Sequence, residues 1–528
     1  MTWSVLRRLF PLLFLLLGGN GCALLPTAPP ASTAPPGLHP RPFTAVFAAL
    51  PTALAPHRPY GWHQAQLLPL VYEGLTVLDK DLQPRPALAT RWDISSDGLV
   101  YTLHLRRRVQ FHHGKDLDAD DVRQAFRQVA ANPAVVQEER MPFAVISAIE
   151  TPDRHTVRFV LKEPYAPFLA KLTVTDCPIV SRAPTSSSYP APPGTGPFQV
   201  TSFQPGRSLT LKKFPAYWEH GEPRLETLTL RAVASAATRL QLIQNGEADF
   251  VLLDPVPLPR SFGALHATWD VVHSAPTGVF SVIFNTRRQP FADVKVRRAF
   301  ARVIDRAALA YHVLGEYGVP VAQPYHRAAA PWHVEATDQA FDLNQGKTLL
   351  EQAGHRDGLR VTLLVVTGVA LFDQTALALQ EQLRRVGMQL HIEAAPADVI
   401  LDQVQRGDWD LLLRGEASQP DPDDVYFAAF HSSRLDSSNV SGYHTPILDS
   451  LLTAGRHARD LHERQQTYQQ VVAKLHQDIP ELYLFMARWP VAWHQRVRGY
   501  DADLLRCCLL RTVTAIANQG FKTIWLQE

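Results

Sequence analysis

The sequence predicts a mixed α/β protein assembled from several units, and three observations lead there. Its 528 residues are enough for roughly three units of about 150 residues each. Val361–Val366 reads as a buried strand, Leu377–Val386 as a helix ended by Gly387, and Gln389–Ile392 as the next strand. Such alternation makes a parallel sheet with a crossover helix. Leu88 to Phe126 holds a hairpin and then a helix start. Apolar residues form 46% of the chain and charged ones 19%, the balance of an ordinary globular protein with a large core. A net charge of +2 provides no surface for a polyanion, so nucleic acid is not an expected partner.

The N-terminus reads as a targeting segment. Arg7 and Arg8 precede the apolar run Leu9–Leu17, which is shorter than the ~20 residues that span a bilayer. Small residues then lead to Cys22. Residues 26–42 are rich in Pro, Ala and Thr, which favours an extended spacer over a packed core. Phe43–Leu50 reads as the first strand of the fold.

Trp92 and Ile94 alternate with polar residues, and Ser95-Ser96-Asp97-Gly98 supplies a turn. Leu99, Tyr101, Leu103 and Leu105 line one face of the return strand. Asp118 is a helix N-cap with Asp121 three residues on, and Ala119, Val122, Ala125, Phe126 and Val129 follow at helical spacing. Thr156–Leu161 is a strand. Ala237–Asp249 carries a helix capped at Asn245-Gly246. After the strand Phe280–Thr286, a helix turns Val296, Ala299, Phe300 and Val303 inward. Further strands are expected at Trp409–Leu413 and Glu481–Met486, with a helix at Leu461–Leu475.

Motifs for chemistry are missing. There is no His-Glu-x-x-His, no Gly-x-Ser-x-Gly and no Gly-Lys-Ser/Thr phosphate loop, so the protein is not expected to be an enzyme. Asp116-x-Asp118-x-Asp120 begins like a calcium loop, but Asp121 takes the glycine position and Arg127 the glutamate position. The four cysteines contain no CxxC pair, so a thiolate zinc site is not expected. No metal and no cofactor are expected. With Cys22 set aside, a bridge from Cys177 to Cys507 or Cys508 stays open.

The order Leu-Ala, Trp, Asp-Gly, Tyr-x-Leu-x-Leu-Arg, Val-x-Phe-His-x-Gly, Ala-x-Asp-Val over residues 88–122 resembles the peptide/nickel class of ABC-importer solute-binding proteins, extracellular family 5. Later blocks extend the resemblance: Gly194-Thr195-Gly196-Pro197-Phe198, Tyr217-Trp218, Pro290-Phe291-x-Asp293 with Arg297, and Ile304-Asp305-Arg306. The resemblance covers about residues 43–500. It implies a two-lobed periplasmic-binding-protein fold of type II, class C. Lobe I would comprise 43–75, 190–275 and 490–528, an inserted subdomain 76–189, and lobe II 276–489. Residues 1–22 would be a lipoprotein-type signal with Cys22 acylated, and 23–42 a linker.

The implied function is capture of a small peptide or related solute between the lobes and delivery to the permease subunits of an ABC importer. The protein would be an exported monomer, periplasmic or in the cell envelope, held at the membrane by its lipid. A nickel-chelate or other non-peptide binder on the same fold is the alternative. An exported hydrolase is the alternative from another class.

In the family, the loop after one strand reads Gly-Trp-x-x-Asp-x-x-Asp-Pro, and its first Asp pairs with a peptide's ammonium. Matching on Asp421-Pro422 places Ser418 at that Asp and Gly415 at the Trp. Glu416 is then the nearest carboxylate able to substitute. It serves as the ammonium's counter-charge or as a solvated loop acid. Arg414 pairs with an anionic ligand or merely with Glu416. Tyr72, in Leu70-Val71-Tyr72-Glu73-Gly74-Leu75, is a pocket residue or a packed one. The expected ligand-binding set is therefore Tyr72, Arg414, Gly415, Glu416, Ser418 and Asp421.

Overall fold

The computed structural model describes residues 42–54, 56, 62–79, 81–131, 141–182, 191–255, 268–327, 332–335, 340–416, 419–435, 437–500 and 521–527. Cys22, Ser418, Cys507 and Cys508 lie outside them. Cys177 is a buried free cysteine.

Two large sheets build two lobes. The first has seven strands in the order Trp269–His273, Pro490–His494, Phe250–Leu252, Phe43–Phe47, Thr227–Ala232, Ser208–Lys213, Phe198–Gln204. Phe43–Phe47 is parallel to both its neighbours and buried along its whole length, as a strand covered on both faces must be. The second has six strands in the order Gly318–Pro320, Glu481–Ala487, Thr277–Phe284, Leu411–Glu416, Leu359–Val366, Met388–Ala395.

The expected parallel sheet holds for Leu359–Val366, which pairs in parallel with Met388–Ala395 and Leu411–Glu416. Thr277–Phe284 is antiparallel to both its neighbours. It arrives directly from the first sheet, not through a crossover helix. The crossover helix itself runs Ala370–Arg384 and starts seven residues before the expected Leu377. Its N-cap is Val369, which makes no side-chain cap bond, so no polar start signal marks it in the sequence.

The chain passes between the two large sheets at His273–Thr277 and again at Ala487–Pro490. These crossings bond to each other: the Ser274 N–H donates to the Trp489 carbonyl at 2.9 Å, and the Trp489 N–H donates to Ser274 Oγ at 2.9 Å. Paired crossings of this kind are where a two-lobed protein hinges.

A four-stranded sheet, in the order Ala89–Ile94, Val100–Leu105, Thr156–Leu161, Ile146–Asp153, falls in sequence between Phe43–Phe47 and Phe198–Gln204 of the seven-stranded one. Tyr101, Leu103 and Leu105 are buried as expected, against Val157, Phe159, Leu161 and the helix Ala119–Ala131. Trp92 is opposite Leu103 and half-buried, but Ile94 is 44% exposed. Ala89–Ile94 is an edge strand, so its alternation does not bring every apolar residue inside. The helix is capped reciprocally: Asp121 N–H donates to Asp118 Oδ1 and Asp118 N–H to Asp121 Oδ2, both at 3.1 Å.

The glycines of Gly194-Thr195-Gly196 lie where the chain re-enters the first lobe. A Cβ on Gly194 would sit 2.0 Å from the Val71 carbonyl oxygen, so no other residue fits.

Candidate ligand site

Leu411–Glu416 is a strand in the middle of the six-stranded sheet. It was expected to end at Leu413. Arg414, Gly415 and Glu416 are therefore its last three residues, not the start of a loop. In this sheet Ser281 stands opposite Arg414 on one side and Tyr483 on the other. Side chains alternate across the sheet, so Arg414, Ser281 and Tyr483 share one face.

That face carries a buried polar network. Arg414 Nη2 pairs with Glu416 Oε2 and lies 3.2 Å from Glu481 Oε1. The Ser281 hydroxyl also donates to Glu481 Oε1. Burial works against the charge of Arg414, but Glu416 and Glu481 outweigh it and hold the guanidinium above its usual pKa range. Two carboxyl groups thus share one guanidinium at the strand's end.

Asp421 is engaged by Arg464, whose Nη1 and Nη2 donate to its two oxygens at 2.9 and 2.8 Å. Burial raises its carboxyl; Arg464 and the Asp423 N–H outweigh that and keep it below the usual range. Asp423 takes the same bidentate grip from Arg456 at 2.9 Å on each oxygen. Asp424 accepts from Lys171 Nζ at 2.6 Å, yet burial pushes it up to about 6.

Tyr72 lies on the other lobe, buried in the core with Val71 and Leu70. Its hydroxyl has no hydrogen-bond partner among the described residues. Beside it, Glu73 accepts from Thr195 Oγ1 at 2.8 Å, the Tyr217 hydroxyl at 3.0 Å and Trp218 Nε1 at 3.1 Å. Burial raises this carboxyl to about 7 against those three donors. No described hydrogen bond or ion pair joins Tyr72 to the residues at 414–424. The structure brings Arg414, Glu416 and Glu481 together and leaves Tyr72 apart from them.

Glu481 and Ser281 were not anticipated. The available signal was Glu481 itself, a charged residue opening the otherwise apolar strand Glu481–Ala487. The adjacent histidines are structural: His112 Nε2 bonds the Gly196 carbonyl at 3.0 Å, and burial lowers its pKa to about 4. His113 Nε2 meets Ser181 Oγ at 3.0 Å.

With this geometry in place, comparison with known proteins gives one family and consistent relatives. The model of bacterial extracellular solute-binding proteins, family 5 Middle, matches residues 83–437. The di/tripeptide-binding protein 2 of Pseudomonas aeruginosa is 28% identical over 79% of this chain and 83% of its own. The glutathione-binding protein GsiB of Salmonella choleraesuis is 28% identical over 81% of this chain and 86% of its own. The periplasmic binding protein DppA of Helicobacter pylori, solved with the peptide STSA, is similar with a TM-score of 0.75 and 23% identity, covering 92% of this chain and 98% of its own.

Proposed function

Because the chain belongs to the bacterial extracellular solute-binding proteins of family 5, we propose that its solute is a small peptide, captured between the lobes and handed to the permease subunits of an ABC importer. The peptide reading draws on the di/tripeptide- and glutathione-binding relatives. The observation that carries it is the sharing of Arg414 between Glu416 and Glu481. Two carboxyl groups beside one guanidinium carry one more negative charge than it offsets, which a ligand cation would balance. A ligand ammonium there would make a charge-assisted hydrogen bond in a water-poor setting.

Glu416 then takes the role that the Asp position, here Ser418, has elsewhere in the family. Gly415, between Arg414 and Glu416 on the strand, faces the other side of the sheet opposite Phe280 and gives this site no ring. Asp421 acts through Arg464, holding the chain beyond Ser418 in place. Tyr72 contributes from the opposite lobe a hydroxyl that has no partner among the described residues. No turnover accompanies binding. Closure follows from tighter binding of the solute to the closed form.

The protein acts outside the cytoplasm as a monomer, anchored through a diacylglyceryl group on Cys22, with residues 23–42 as the tether. Among the described residues no helix is long and apolar enough to cross a membrane. Cys22→Ala is expected to move the protein from the membrane fraction to the soluble fraction. A mature N-terminus elsewhere, without lipid, would refute the anchor.

Titration calorimetry with di- and tripeptide pools, nickel chelates and oligosaccharides tests the proposal. Binding is expected from the peptide pools. Binding from the chelates alone, or from the sugars alone, would replace it.

A further inference from the structure

The four-stranded unit is joined by the chain only to the seven-stranded lobe, since its strands fall between Phe43–Phe47 and Phe198–Gln204. Its side chains nevertheless grip the other lobe. Lys171, on the turn Phe168–Leu172, places Nζ 2.6 Å from Asp424 Oδ2 and 3.6 Å from Asp176 Oδ1. The Ala166 N–H donates to the Arg456 carbonyl at 2.8 Å, and the Arg456 guanidinium lies 5.7 Å from the Tyr165 ring centre. Arg459 Nη1 donates to the Ser95 carbonyl at 3.2 Å. His457 Nε2 stands 3.8 Å from Glu163 Oε2.

One apolar residue joins these contacts. Leu82 lies beyond the strand Thr76–Leu78 at a φ of 59°, a left-handed conformation that leucine rarely adopts. It is buried in a cluster of the six-stranded lobe with Val321, Tyr325 and Trp332.

We propose that these contacts are a reversible clamp, in which Lys171 and Leu82 are positioning residues that dock the inserted unit onto lobe II when the protein closes. The clamp holds Asp423 and Asp424, which continue the segment that begins at the ligand strand. Its composition suits an interface that must open. Desolvating a buried ion pair cancels most of its attraction, whereas removing one partner alone leaves a costly buried charge. Lys171, Asp424, Arg456 and Asp423 all regain water on opening.

The test needs no identified solute. Spin labels are placed as non-canonical residues at exposed positions 90 and 450, one on each side of the clamp. The full chain is stripped of bound solute by unfolding and refolding, and the label distance is measured. Wild type is expected to show a short-distance population. Lys171→Met should move that population to longer distances. The double variant K171M/D424L should restore it, because it removes both members of the closer pair together and leaves only the partly exposed Asp176. Leu82→Asp should lengthen the distance independently of Lys171. A wild-type distribution without the short distance would overturn the clamp. So would a K171M variant that melts at lower temperature with its distances unchanged, or a double variant that stays open.

Discussion

The core of the four-stranded unit and the charged side chains of Arg414, Glu416, Asp421, Asp423 and Asp424 are held by opposite means. Inside the unit, Tyr101, Leu103, Leu105, Val157, Phe159 and Leu161 bury apolar area against one helix. Each methylene there contributes on its own, about 0.8 kcal/mol. In the charged stretch, Glu416, Asp421, Asp423 and Asp424 each meet a cation: Arg414, Arg464, Arg456 and Lys171. Such pairs contribute little net stability, and each fails badly when halved. The apolar unit makes a scaffold that tolerates graded change. The charged stretch specifies one arrangement and tolerates little, as suits a segment bordering a ligand.

The largest effect should come from halving a pair. Arg464→Met leaves Asp421 buried without its bidentate partner and should cost about 3–5 kcal/mol in denaturant unfolding. The double variant R464M/D421L should recover most of that loss. Equal losses in the single and double variants would mean the stretch is held by packing, and the contrast with the four-stranded unit would fall.

Next in size is a cavity in the apolar unit. Leu103 is fully buried, and Leu103→Ala should cost roughly 2–5 kcal/mol, with no partner substitution able to restore it. A loss under about 0.5 kcal/mol would show a face open to solvent.

A third effect is a pH dependence where the four-stranded unit meets the seven-stranded lobe. Burial raises Glu73 to about 7, above its ordinary value of 4.5. The folded state therefore binds this proton more tightly than the unfolded chain. The stability so contributed is full below pH 4.5 and is lost as pH rises to about 7. Glu73→Gln should remove that decline from the wild-type profile. Parallel profiles in the two proteins would show that the three donors around Glu73 offset its burial completely.

Legibility follows the same division. The hairpin, the helix from Ala119 and its cap were readable because their determinants are local: the cap spans three residues, and the buried positions repeat at strand and helix periods. The two-lobed fold and the family were readable from ordered motifs. The partners of the charged stretch were not. Arg464 is 43 residues from Asp421, and Lys171 is 253 from Asp424, so no spacing rule connects them. Arg414 with Glu416 was legible as one of two alternatives, from their nearness in sequence; their place on one strand face was not, because the strand was expected to end at Leu413. Glu481 was not, because its position beside Arg414 depends on sheet order. Leu411–Glu416 extends past its expected end because Arg414 is buried by ion pairing, which an apolar pattern does not register.

The central claim is that Glu416, sharing Arg414 with Glu481, supplies the counter-charge for a peptide's amine. Calorimetry of one bound di- or tripeptide, free and N-acetylated, against wild type, Glu416→Gln and Ser418→Ala tests it most directly. Losing one partner of a buried charged pair costs about 2–5 kcal/mol, or ~30-fold or more in affinity. The account predicts that loss for Glu416→Gln with the free peptide, a similar loss for the acetylated peptide on wild type, and little change for Ser418→Ala. A larger loss for Ser418→Ala than for Glu416→Gln, or equal binding of free and acetylated peptides, would contradict it.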